Sequence, residues 1–228
     1  MILGTICARG GSRGVPGKNM RSMNGWPLID TAVTCAQKCE SLDKIIISSD
    51  DNKVKEYATM LASIDFQPRP PELATDTASK WDVFRYIAEQ NELKQDDILV
   101  DLDVGCPLRE PQDITACVEK LRGGNYDVVA TAYESDRNPY FNMVEEGGGG
   151  HYYVFASGEH NHLITRRQDA PVVYSLSPAV FAIKAWALFK YKHWSEARLG
   201  IVVIPRERAW DVDTPLDFEI VEFLMKGK

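Results

Sequence analysis

A doubly wound α/β fold built on a mostly parallel sheet is what this sequence predicts, on two observations. Apolar, β-branched runs alternate with helical patterns along most of the chain, the signature of successive βαβ units. The first run, Ile2 to Cys7, opens directly into a glycine-rich cationic loop, the place where such folds hold phosphates. The length of 228 residues suits one sizeable core, and 44% hydrophobic with 26% charged residues is ordinary for a globular chain.

The elements follow in order. Leu28, Ile29, Ala32, Val33 and Ala36 trace one helix face, and Lys44–Ser49 is a strand around Ile45-Ile46-Ile47. Helices are expected at about 51–61 and 79–90, a strand at 98–102, a helix at 111–121 and a strand at 128–132. From Tyr133 to about Pro171 the rhythm breaks. Gly147 to Gly150 separates two aromatic-rich runs, Tyr140 to Val144 and Tyr152 to Phe155, which read as a hairpin on an inserted arm of an otherwise single domain. The alternation then resumes with a strand at 180–183, a helix at 185–191, a strand at 201–204 and a last helix at 215–225.

Composition excludes several classes. A formal charge of −7 argues against a general nucleic-acid binder, so a basic loop on this body should serve a small polyanion. No stretch approaches the roughly 20 apolar residues that span a bilayer, and no charged-then-apolar leader is visible, so a cytoplasmic protein with no membrane partner is expected. Five cysteines without a C-x-x-C pair exclude a disulfide framework or a structural zinc site. His160 and His162 share one side of an extended segment but lack a third metal ligand.

Three segments carry chemistry, and the loops after Cys7, Ile47, Leu102 and Ile204 are expected to converge on one crevice, since open α/β sheets bind ligands beyond the carboxyl ends of their strands. In Ala8-Arg9-Gly10-Gly11-Ser12-Arg13-Gly14-Val15-Pro16-Gly17-Lys18-Asn19 the glycines let backbone amides approach a ligand, and Arg9, Arg13 and Lys18 supply unopposed positive charge. It is no Walker A loop, because Gly11 to Gly17 encloses five residues and Asn19 replaces the metal-binding hydroxyl; Arg9 and Pro16 likewise break the dinucleotide fingerprint. In the run from Arg69 to Ser79, Pro70 and Pro71 hold an extended loop, Arg69 can reach a phosphate or base, and Ser79 can cap the next helix. Finally, Asp211 and Asp213 lie on the same side of an extended turn before a helix, a pair of hard carboxylates suited to magnesium; the competing reading of Asp213 is a helix cap.

These segments resemble the CMP-sialic acid synthetases. The first fits A-R-x-x-S-[KR]-G-[LIV]-P-x-K-N, the second R-P-x-x-L-A-x-D-x-[AT]-S, and Trp210 to Asp217 resembles I-D-x-[DE]-x-x-x-D. The resemblance covers nearly the whole chain in the correct order. It implies a nucleotide-diphospho-sugar transferase-like (Rossmann-like) fold, a homodimer joined through the arm, and magnesium-dependent formation of CMP-sugar and pyrophosphate from CTP and an acidic nine-carbon sugar. It assigns Lys18, Arg13, Arg9 and the Gly10, Gly11 and Ser12 amides, with Asn19, to the triphosphate loop, and metal to Asp211 and Asp213. Arg69 and Ser79 complete the nucleotide site. Arg167 aligns with an arginine expected near the sugar carboxylate, and Ser177 stands in for an asparagine lining the sugar pocket.

Departures mark the acceptor side. Asp101 to Arg109 keeps Pro107, Leu108 and Arg109 but has Gly105 and Cys106 for a Thr-Ser pair; Asp103 replaces a common glutamine, to add a carboxylate near the metal, to read a sugar hydroxyl, or simply to end the strand. Phe141 replaces a lysine, and Asn138 to Glu145 looks more like the synthetases for legionaminic acid; an aromatic ring suits a deoxy sugar's methyl group. A nucleotidyltransferase for another acceptor, or a non-catalytic nucleotide binder, are the alternatives.

Overall fold

The computed structural model describes residues 1–12, 14–155 and 164–226. In chain order the elements are β1 (Ile2–Cys7), β2 (Ser22–Met23), β3 (Trp26–Pro27), α1 (Leu28–Gln37), β4 (Lys44–Ser49), α2 (Asn52–Thr59), β5 (Asp65–Pro68), α3 (Lys80–Gln90), β6 (Ile98–Asp101), α4 (Pro111–Gly123), β7 (Val128–Glu134), β8 (Val144–Glu146), β9 (Tyr152–Val154), β10 (Tyr174–Lys184), α5 (Ala185–Lys190), β11 (Leu199–Val203) and α6 (Pro215–Lys226). The chain divides into two compact units, Met1–Ala132 with Ser177–Lys228, and Tyr133–Leu176.

The larger unit is a three-layer α/β arrangement. Its sheet runs β11-β7-β10-β6-β1-β4-β5. β1 pairs in parallel with both β4 and β6, β4 with β5 and β11 with β7, whereas β10 lies antiparallel to β6. Alternation along β1 shows why the sheet needs cover on both faces. Ile2 and Ile6 enter one apolar layer, with Leu28 and Val33 of α1, Val54 of α2, Ile114 of α4 and Val221 of α6, while Leu3 enters the other, with Phe84 of α3 and Leu188 of α5.

Helix starts follow local chemistry. Asp51 accepts from the Lys53 amide at 2.8 Å, Ser79 from the Trp81 amide at 3.1 Å, and α4 opens on a reciprocal box between Glu110 and Asp113 with Pro111 in its first turn. Two features escape the sequence reading. β5 has no apolar run, only Asp-Phe-Gln-Pro, and exists through its pairing with β4. The β2–β3 hairpin is two residues deep and rests on Asn24 and Gly25, both at positive φ. The strand expected at 180–183 also begins earlier, at Tyr174.

In the smaller unit the hairpin is β8 with β9, in the register Val144↔Val154 and Glu146↔Tyr152. The expected first strand at Tyr140–Val144 is corrected. Asn138 and Pro139 start a turn in which the Asn138 carbonyl accepts from the Phe141 and Asn142 amides at 3.0 and 2.9 Å, so pairing begins only at Val144. His160 and His162 lie outside the described residues.

At the end of the larger unit's sheet opposite the cation-rich loop's strand, Asp127 is fully buried at the start of β7. It accepts from Arg198 Nη2 at 2.6 Å, from the Arg198 amide at 3.2 Å and from the Tyr191 hydroxyl at 3.0 Å. These bonds to Arg198 hold its carboxyl down at about 2, against an ordinary 3.8. Asp127→Ala should lower stability by about 1–3 kcal/mol in urea titrations at pH 7, because donors lose their acceptor. The carboxylate's share of stability is present above about pH 4 and is lost as pH falls toward 2, so the gap to wild type should narrow over that window. An unchanged urea midpoint at pH 7 would contradict this.

Candidate active site

A cavity of about 440 Å³ opens at the carboxyl end of β1 in the larger unit. From the glycine-rich loop, Arg9, Ser12, Lys18 and Asn19 line it; Arg69 and Asp103 join from the segments after β5 and β6, and Asp213 from the segment before α6. The three motifs thus meet on one wall, as expected for strand ends in an open sheet. Arg13 lies outside the described residues.

The loop is fixed by close backbone approach. A Cβ on Gly14 would stand 1.9 Å from the Asp213 carbonyl oxygen, and Gly11 and Gly17 take φ of 73° and 65°. Asn19, 8% exposed, donates through Nδ2 to the Arg9 carbonyl at 2.9 Å, so its amide braces the loop. The Gly10 amide donates to Asp50 Oδ1 at 2.8 Å, and Arg9 donates to the Thr75 carbonyl at 2.8 Å and pairs with Asp76 at 2.9 Å. Lys18 Nζ is tethered to the Val212 carbonyl at 2.7 Å and lies 3.5 Å from Asp213 Oδ1.

Behind the wall the charges converge on Gly105. A Cβ there would lie 2.2 Å from Asp211 Oδ1 and 3.2 Å from both Asp103 Oδ1 and Lys18 Nζ. Glycine leaves the space that the Asp211 carboxylate takes here. Asp211 Oδ1 is buried without a hydrogen-bond partner. Burial, with repulsion from Asp103 and Asp213, pushes its carboxyl up to about 6. Burial also works to raise Asp103, but the adjoining Lys80 ammonium and the Gly105 amide win and hold it at about 2. Asp213 is no helix cap. Thr214 and Asp217 form that cap reciprocally, with the Thr214 amide donating to Asp217 at 2.8 Å and the Asp217 amide to Thr214 Oγ1 at 3.2 Å, which leaves the Asp213 carboxylate exposed toward Lys18.

The set suits a hard divalent cation. Asp211 offers an orphaned acceptor, Asp103 and Asp213 flank it, and among the described residues no group of three His, Cys, Asp or Glu side chains encloses a metal by itself. Such a cation would complete its shell with water and substrate oxygens.

Other predicted residues have structural jobs. Ser79 accepts the Trp81 amide as helix cap. Arg69, 8% exposed, donates to the Ser48 carbonyl at 3.0 Å while reaching the cavity. Ser177, 1% exposed, donates through its hydroxyl to the Ala209 carbonyl at 3.2 Å and accepts the Ala179 amide at 3.3 Å, and it is not among the residues that line this cavity. Phe141, half-buried, and the exposed Arg167, which donates to the Asp136 carbonyl at 3.3 Å, belong to the smaller unit.

Sequence reasoning missed Lys80 and gave Arg109, though it matched the family pattern, no role. Arg109 is buried and donates to the Ala179 carbonyl at 2.6 Å and to the Asp103 carbonyl, pinning the turn after β6. Lys80 Nζ lies 2.6 Å from both Asp101 Oδ2 and Asp103 Oδ2. Its signal was present: a lysine at the first position of a helix opposes the helix dipole, and two acids end β6.

A cation-lined cavity at the strand ends, with carboxylates grouped beside a tethered lysine, defines a nucleotide-handling α/β protein. Residues 3–177 match the family model described as cytidylyltransferase, and the chain belongs to that family. Over its whole length it is 36% identical to the post-translational flagellin modification protein B of Campylobacter coli and 34% identical to the CMP-N,N'-diacetyllegionaminic acid synthase of Campylobacter jejuni, covering 96% of each. Among solved structures, a CMP-2-keto-3-deoxy-manno-octonic acid synthetase complexed with CTP superposes with a TM-score of 0.72 at 17% identity, over 99% of this chain and 98% of that one, a likeness of fold. No helix among the described residues is long and apolar enough to cross a membrane.

Gly105→Ala should fold, since the atom it meets is the end of a side chain, but it should swing Asp211 out of place. Cytidylyltransferase turnover should fall by about tenfold or more with a melting temperature close to wild type. Wild-type turnover would show that the position of Asp211 is immaterial.

Proposed function

We propose that this cytidylyltransferase joins CTP to a nonulosonic acid of the legionaminic type, giving the CMP-sugar and pyrophosphate. The carrying observation is the convergence of Lys18, Asp103 and Asp211 around Gly105 at a cation-lined cavity. The full-length likeness to a CMP-N,N'-diacetyllegionaminic acid synthase supports the acceptor.

In the reaction the sugar's anomeric oxygen bonds to the α-phosphorus, the bond from that phosphorus to the bridging oxygen of pyrophosphate breaks, and the hydroxyl proton is released. Lys18, held at its Val212 tether, presents its ammonium to the triphosphate and offsets the charge that gathers on the departing pyrophosphate. Arg9, with the Gly10, Gly11 and Ser12 segment, is assigned to the same phosphates, as the resemblance assigns Arg13, which lies outside the described residues; the Gly10 amide and the Arg9 guanidinium must exchange their Asp50 and Asp76 partners for phosphate oxygens to do so. Arg69 serves the nucleoside. Asp211, flanked by Asp103 and Asp213, would hold magnesium, which when bound neutralises phosphate charge and polarises the phosphorus. Asp103, ionised throughout the neutral range, keeps that site anionic.

For the acceptor we assign its carboxylate to Arg167 and its terminal methyl to Phe141, an aromatic surface where an ammonium would favour hydroxyls. A homodimer formed through the smaller unit belongs to the same proposal. Among its side chains Val144, Tyr152, Tyr153, Phe155 and Val172 are each more than half exposed, an apolar surface that asks for a partner.

Pyrophosphate release with CTP, magnesium and each of legionaminic, pseudaminic and N-acetylneuraminic acids tests the reading. Fastest turnover with the legionaminic acid is expected. Best turnover with N-acetylneuraminic acid would overturn the role given to Phe141, and no release with any of them would overturn the acceptor class.

A further inference from the structure

Lys80 lies outside the glycine-rich loop, bridges two of the carboxylates and stands on the cavity wall. Its ammonium has three N–H donors. Two are engaged at 2.6 Å, by Asp101 Oδ2 and by Asp103 Oδ2. Its side chain remains 42% exposed, although both partners are more covered, Asp101 at 1% and Asp103 at 27%. The carboxylates therefore grip the ammonium from the protein side, and the third N–H is left for whatever fills the cavity.

The hold on Lys80 is stiff. Asp101 is the last residue of β6, paired with β1 and β10, and the remaining Asp103 oxygen accepts the Gly105 amide at 2.8 Å. Lys80 opens α3, whose cap is Ser79, and its Nζ lies over the Phe84 ring, 5.8 Å from the ring centroid. A lysine so tethered loses little freedom when it meets a ligand. Arg9, Lys18 and Arg69 line the same cavity together with Asp76, Asp103 and Asp213; with Lys80 the cations outnumber the acids, a balance that suits an anionic oxygen.

We propose that Lys80 is a further nucleotide-contact residue, donating its third N–H to a phosphate oxygen of CTP, with Asp101 and Asp103 as the positioning residues that aim it. The inference rests on the CTP reading given above and extends it to a second lysine, from outside the glycine-rich loop. Lys18 and Lys80 then contact the nucleotide from separate motifs.

The test is equilibrium titration of CTP in the presence of magnesium against wild type, Lys80→Met, Lys80→Arg and the double variant Lys80→Met with Asp101→Asn. The double variant removes one buried carboxylate along with its counter-ion, so it stays folded where the single change strands a buried charge. Melting temperatures identify the variants that are folded. CTP affinity should fall by about tenfold or more in the folded methionine variants, as for a lost charged hydrogen bond, and Lys80→Arg should recover most of it. A folded double variant with wild-type CTP affinity would overturn the role of Lys80 while leaving the CTP reading intact. Failure of the wild type itself to bind CTP would overturn both.

Discussion

Several carboxylates stand close together after β6 and before α6, and they coexist because two lysines are set among them. Asp101 and Asp103 leave β6, Asp211 and Asp213 precede α6, Lys80 bridges the first pair and Lys18 lies beside the second. The two halves reach different compromises. Asp103, with Lys80 and the Gly105 amide, is held ionised, whereas Asp211, buried beside Asp103 and Asp213, is left short of positive charge. That shortfall is what the magnesium proposed above would relieve. Glycines at positions 14 and 105 follow from the same crowding, because a side chain at either would collide with Asp213 or Asp211.

The fold was legible wherever a pattern is local. Lys44–Ser49 matches its strand residue for residue, and the helices after Asp51, Ser79 and Glu110 begin where cap chemistry places them. What was not legible depends on neighbours. β5 has one large apolar residue and takes its conformation from β4, and Tyr140 and Phe141 looked like strand because their aromaticity outweighed the Asn138-Pro139 turn signal.

In the site, charged residues in unusual sequence company were readable: Arg9, Lys18, Arg69, Asp103 and Asp213 do share one cavity. The packing around Ser177 was not readable, because a hydroxyl looks the same in sequence whether it stands in a pocket or, as here, bonds the Ala209 carbonyl in the core. Lys80 escaped because it follows a strong helix cap, and its two acidic partners lie more than twenty positions away; only the sheet brings β6 beneath α3. Asp213 could be read as cap or ligand, and the choice turned on Thr214 and Asp217, which take the cap between them.

The central claim is that Lys18 supports charge in the transfer step from a position the fold already provides. Steady-state turnover of Lys18→Ala, with CTP, magnesium and the best acceptor, tests it most directly. The account predicts a loss of about tenfold or more in kcat with an unchanged melting temperature, since a tethered ammonium facing a cavity serves the reaction rather than the core. A variant that is folded and turns over at the wild-type rate would contradict it.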